Sequence, residues 1–267
     1  MMHSDSGFWK MGLPRRLRHT SGPTNAPAPW RHPAAMTLGL VGIALYNWWL
    51  VVALSGRLVT TPDELFSDLE AVGRPDAAIL QRLDLTAGLV ILAALLLRGR
   101  HGPDGPRSEW PWVVAFAVSG AVGGHFSYVC PEGLSATCRS QEWRLALPPH
   151  HYIHVLAGIT EFAAATVAIY LARHRTRLVE EPVTWAICWT WRALLVAYPL
   201  LAVAYITDRF GALVEPAFFV CFSAMVAAEL FEADRVVLPD SHVHPYWSRV
   251  VPVHLVHMGT AGRGRRA

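Results

Sequence analysis

Apolar positions fall in long continuous blocks through the middle of the chain, separated by short polar segments. A helix needs about 20 apolar residues to cross a bilayer. Six blocks approach that length, at about 35–54, 84–98, 111–129, 151–172, 183–206 and 213–231. The second is the shortest, and it is long enough only if Asp84 sits at its mouth. The blocks do not alternate apolar with polar residues in segments of about ten, which sets a transmembrane β-barrel aside. The pattern predicts an all-α polytopic membrane protein with a six-helix transmembrane domain over 35–231. Polar tails flank it at 1–34 and 232–267.

Composition agrees. The 267 residues are 53% hydrophobic and 16% charged, against about a quarter charged in soluble domains. Lys10 is the only lysine, a bias expected of a high-GC bacterial genome. The net charge of +3 reflects where the arginines fall and does not point to nucleic acid. Arg15, Arg16, Arg18 and Arg31, then the loops Arg98–Arg107 and Arg173–Arg177, then the C-terminal RGRRA, all belong to one side. By the positive-inside rule that side is cytoplasmic. The loops 55–83, 130–150 and 207–212 face out, with both termini inside a bacterial cytoplasmic (inner) membrane. Residues 1–34 lack the apolar run of a secretory signal and read as a disordered tail. Trp110, Trp112, Trp185, Trp189 and Trp191 read as interfacial anchors.

Cys130 and Cys138 share an outer loop, where oxidation is allowed. They are expected to form a disulfide pinning the third and fourth helices, or else to remain two thiols. Cys188 and Cys221 fall within spans and read as packing residues. The loop 55–83 is either a short interfacial helix over the bundle mouth or an ordinary connection. His242, His244, His254 and His257 lie in the C-terminal tail.

Ionisable side chains inside a membrane are costly and mark functional positions. Glu161 and Arg192 lie at matching depth on the fourth and fifth spans and are expected to pair as a clasp. Asn47, Asp84, His125 and His154 complete the candidate lining of an outward-opening cavity, with His150, Tyr198 and Glu215 at plausible depth. His125, His154 and Asp84, or His150, are candidate zinc ligands because neutral histidine with a carboxylate suits that metal. No tight motif such as His-Glu-x-x-His supports them. Gly120 and Gly124 form a Gly-x-x-x-Gly step, expected to pack against Gly158 and Ala163 to Ala165.

The stretch SDLEAVGRPDAAILQRLDLTAG at 67–88, the Cys130…Cys138 loop and HHYIHVLAG at 150–158 resemble bacterial membrane proteins of the domain of unknown function 998 family. That resemblance covers about 35–231 and implies a six-helix membrane protein with no assigned reaction. A more distant similarity is to ceramidase-like membrane hydrolases, which use Ser, Asp and three His, with zinc. His125, Ser127 and Asp84 match parts of that set, but the histidine pair expected on the last helix is absent from 213–231.

The leading expectation is a membrane protein with an outward-facing polar cavity that binds a lipid, a small amphiphile or a membrane partner. The alternatives are a metal-dependent lipid amide or ester hydrolase, with a zinc-bound water as nucleophile, and a proton-coupled carrier using Glu161 and the histidines. Against the carrier, the spans show no inverted repeat or broken helix.

Overall fold

A computed structural model describes residues 30–55, 63–102, 105–131, 135–176, 182–207 and 209–231. Within them the chain is all-α, with helices α1 (Arg31–Tyr46), α2 (Trp48–Ser55), α3 (Ala77–Arg98), α4 (Trp110–His125), α5 (Ala136–Trp143), α6 (Pro149–Thr176), α7 (Pro182–Thr207) and α8 (Gly211–Phe231). A two-residue antiparallel ladder, β1 (His101–Gly102) with β2 (Gly105–Pro106), turns the chain between α3 and α4.

Six helices close a ring. α1 packs on α3, α3 on α4, α4 on α6, α6 on α7, α7 on α8, and α8 returns to α1. α8 also touches α3, α4 and α6, so it leans across the interior and buries Phe218, Phe222 and Met225. Phe222 meets Phe116 and Phe162 edge-on, and Tyr46 meets Phe116 in the same way. Leu40, Leu96, Leu156, Val196, Leu213 and Val220 stand exposed. An apolar outer surface of this kind belongs in lipid, not water. α3, α6, α7 and α8 are long and apolar enough to cross a membrane, and α1 with α2 makes a fifth span if the bent pair is counted as one.

That bend, of 40°, falls within the block expected to be one continuous helix. Asn47 causes it. Its backbone leaves helical geometry, and its side chain satisfies the groups the break exposes. Nδ2 donates to Ile43 O at 2.8 Å and to Ser223 Oγ at 2.7 Å, while Oδ1 accepts from Trp49 Nε1 at 2.9 Å. Asparagine competes with the helical backbone in this way whenever it finds nearby partners. The expectation of no broken helix is therefore corrected.

α3 also departs from its expected start. It begins seven residues before Asp84, after Gly73 and Asp76, both at positive φ. Asp84 thus lies two turns inside the helix rather than at its mouth.

The segment before α3 is neither an interfacial helix nor a surface loop. It is a plug. Around a single 3-10 turn at Ser67–Glu70, Phe66 and Leu69 pack against Trp48, Trp49, Val52 and Leu80. Phe66 N donates to Glu215 Oε2 at 2.5 Å, and Arg74 forms an ion pair with buried Glu64. Val72 N donates to Tyr128 O at 2.8 Å and Phe210 N to Asp63 Oδ1 at 3.0 Å. Those bonds tie the plug to the ends of α4 and α8.

Candidate functional site

The plug roofs a polar chamber of about 90 Å³ inside the ring. Its walls carry Glu70 from the plug, Asp84 from α3, His154 and Glu161 from α6, Glu215 from α8 and Tyr46 from the end of α1. Close helix approach builds it. A Cβ on Gly88 would stand 2.5 Å from Ala121 N, and one on Gly124 would strike the backbone at Leu85 and Gln81. These glycines let α3 and α4 touch backbone to backbone. The seam at Gly88 and Gly124 therefore joins α3 to α4, while α4 packs on α6 as expected, though without Gly158, whose own surroundings are open. Gly120 instead leaves room for the Glu161 carboxylate, 3.6 Å from where its Cβ would be.

Each polar group in the chamber has a distinct setting. Asp84 Oδ1 accepts from Trp48 Nε1 at 2.6 Å, a contact that exists because the chain bends at Asn47. Glu215 holds the plug through the Phe66 and Ser67 amides. Burial, and then the nearby Asp84 carboxylate, pushes the Glu70 carboxyl well above the usual carboxylate range. His154 Nδ1 lies 2.9 Å from Gly123 O and 3.0 Å from Phe126 O. Carbonyls only accept, so Nδ1 carries a proton. The same bonds cap the C-terminal carbonyls of α4.

A second cavity adjoins the first. A groove of about 480 Å³ opens between α6 and α7, lined mainly by apolar surface that includes Val155, Ile159, Phe162, Leu201 and Tyr205. Ser67, His154, Gly158, Phe162 and Glu215 line both cavities. Polar chamber and apolar groove therefore share a wall.

Asp84, His154 and Glu161 come together in the chamber. Asn47 does not line it but sits at the adjacent helix break. His125 is exposed at the end of α4, its ring edge-on to Phe126. Arg192 is exposed on the outside of α7, its guanidinium 5.0 Å from the Trp189 ring. The expected Glu161–Arg192 clasp is therefore not formed, because α7 turns Arg192 outward while Glu161 points into the ring. Among the described residues no three His, Cys, Asp or Glu side chains gather as a metal-ligand set. His125, His154 and Asp84 do not converge.

Sequence reasoning singled out His150 and missed His151. His151 is fully buried; its Nδ1 accepts from Val129 N at 3.3 Å, and its Nε2 lies 3.4 Å from Glu142 Oε2. Tyr128 stacks on both His151 and His154. This pins the loop closed by the Cys130–Cys138 disulfide. Cys221 is buried and Cys188 half-buried, both as free thiols. The tail histidines, His242, His244, His254 and His257, lie outside the described residues.

A family model described as "Protein of unknown function (DUF998)" matches residues 39–231. The chain belongs to this family. The family's segment runs from within α1 to the end of α8 and so contains both the chamber and the groove. No curated protein and no solved structure matches the chain.

Proposed function

We propose that this chain binds an amphiphile taken from the membrane, with the apolar part in the α6–α7 groove and the polar end in the chamber. The observation that carries this is the wall that the two cavities share at His154, Gly158 and Phe162. Ligand sites are typically apolar clefts with a few converging polar groups, often between the helices of a bundle. A groove on the flank of a membrane bundle receives acyl chains without their crossing water.

The site belongs to a six-span protein of a bacterial inner membrane. α4 supplies the sixth span. Its 16 residues extend about 24 Å at about 1.5 Å per residue, and the extended backbone after Phe126 adds to that. An even number of spans puts both termini on one side, and the arginines near Arg98, Arg107 and Arg173 assign that side to the cytoplasm. The disulfide loop, the plug and the chamber then belong to the outer half.

Gly158 provides the test. A Cβ there would meet nothing within 4 Å, so Gly158→Phe fills the groove without a backbone clash. Native mass spectrometry of the gently purified protein is expected to find about one amphiphile per chain, lost in Gly158→Phe at unchanged melting temperature. No adduct in the wild type, or the same adduct in both, would contradict the reading.

The bend at Asn47 supports a second reading, a proton-coupled carrier, because transporters often build their sites from broken helices. Proton uptake on amphiphile addition to proteoliposomes would distinguish carriage from binding alone.

A further inference from the structure

The chamber is lined by acids. Glu70, Asp84, Glu161 and Glu215 line it, and no lysine or arginine does so among the described residues. Arg192 lies outside on Trp189, and Arg74 is spent on Glu64. Two polar atoms at its wall, Tyr46 Oη on a residue only 8% exposed and Glu70 Oε2 on one 4% exposed, have no neighbour to satisfy them but the acids themselves, Glu161 beside Tyr46 and Asp84 beside Glu70. Buried polar atoms are satisfied in the great majority of cases, and exceptions call for an explanation such as a bound group. Asp84 and Glu161 accept hydrogen bonds when ionised, and a carboxyl oxygen of Glu70 and Tyr46 Oη accept them in their neutral forms. The side chains around the space thus offer acceptors and acidic groups, and they come from five separate elements.

Resting on the amphiphile-binding reading above, we propose that the head group this chamber receives is a protonated amine. An ammonium group donates three hydrogen bonds and accepts none, the complement of this wall. It also supplies the counter-charge that buried carboxylates otherwise lack. A bare metal ion fits less well, since no three of the acidic and histidine side chains gather tightly enough to ligate one. An anionic head group would add charge of the same sign. The apolar groove beside the chamber then takes the amine's hydrocarbon chain.

Three chain-matched probes test this on the full chain in lipid nanodiscs at pH 7: dodecylamine, monolauroyl glycerol and laurate. Calorimetric titrations are corrected with empty discs. Dodecylamine is expected to bind roughly tenfold or more tightly than the neutral probe, as charge-assisted hydrogen bonds require, with laurate weakest. Glu161→Gln should reduce amine binding about tenfold or more and weaken the neutral probe far less, so that the preference for the amine is lost. Asp84→Asn, which keeps the acceptor for Trp48, serves as a second variant if Glu161→Gln fails to fold. Preference for the glycerol or the fatty acid, sensitive to Gly158→Phe, would overturn the amine while sparing the amphiphile reading. Binding of no probe, or binding insensitive to Gly158→Phe, would overturn both.

Discussion

Arg107 holds Glu229 twice, its Nη1 donating to the carboxylate Oε2 at 3.1 Å and to the main-chain carbonyl of the same residue at 2.7 Å. Both side chains are buried. Beside them Arg175 Nε donates to buried Glu109 Oε1 at 2.6 Å, and Ser108 Oγ to Oε2 at 3.1 Å. Two acids and two arginines thus lock the starts and ends of α4, α6 and α8 at the end of the ring opposite the plug. Among the described residues, buried ion pairs form here and not between Glu161 and Arg192. Arg107→Met leaves a carboxylate buried without its cation and is expected to cost about 3 kcal/mol. Glu229→Gln should cost about 1 kcal/mol. Thermal unfolding of both single variants and of Arg107→Met/Glu229→Met checks this, and the double variant should recover part of the loss.

Gly88 and Gly158 make opposite predictions from the same residue type. Gly88→Ala places a methyl group 2.5 Å from Ala121 N and 2.7 Å from Ala117 O, so α3 and α4 must separate, at about 1–3 kcal/mol. Gly158→Ala meets open space and should leave the melting temperature within the error of the measurement.

The disulfide closes a short loop, with Cys130 and Cys138 eight positions apart. Chain-entropy reasoning gives about 2.5 kcal/mol for so small a ring. Cys130→Ala/Cys138→Ala should lower the melting temperature accordingly, and adding reductant to the wild type should have the same effect. Loss of the loop should also loosen His151, whose partners Val129 and Glu142 flank the bridge.

Glu70 sets a pH dependence. It faces Asp84, Glu161 and Glu215, and burial favours its neutral form. A carboxyl raised in the fold contributes fully below its ordinary value of 4.5, where it is protonated both folded and unfolded. As pH rises above that value the unfolded chain releases a proton that the fold retains, and stability declines. Glu70→Gln should therefore unfold at a higher temperature than the wild type near neutral pH. The difference should vanish toward pH 4, as melting curves across that range would show.

Four of the spans, and a fifth if α1 and α2 count as one, were legible in the sequence because lipid imposes one rule on them, long uninterrupted apolar runs. Cys130 and Cys138 were legible because short separation makes pairing a local matter. What sequence left open depended on rotation about helix axes and on where helices begin. Asp84 looked like a mouth residue until α3 was seen to start at Ala77. Matching depth suggested that Glu161 meets Arg192, but depth says nothing about which way α7 turns its arginine. His150 and His151 differ by one position and so by about 100° around α6, enough to bury one and leave the other half-exposed. Asn47 was visible as a polar residue in an apolar run; its partners Ser223 and Trp49 were not. Arg107 and Glu229 lie 122 positions apart, and no local pattern joins them.

Photolabelling most directly tests the central claim that an amphiphile occupies the groove and the chamber together. A long-chain probe with a photoactivatable group near its head would be cross-linked to the membrane-embedded protein and the adducts mapped by peptide mass spectrometry. The account predicts adducts on α6 and α7 around His154–Ala163 and Tyr198–Tyr205, abolished by Gly158→Phe. Labelling spread over exposed residues such as Leu40, Val196 and Val220, and indifferent to Gly158→Phe, would contradict it.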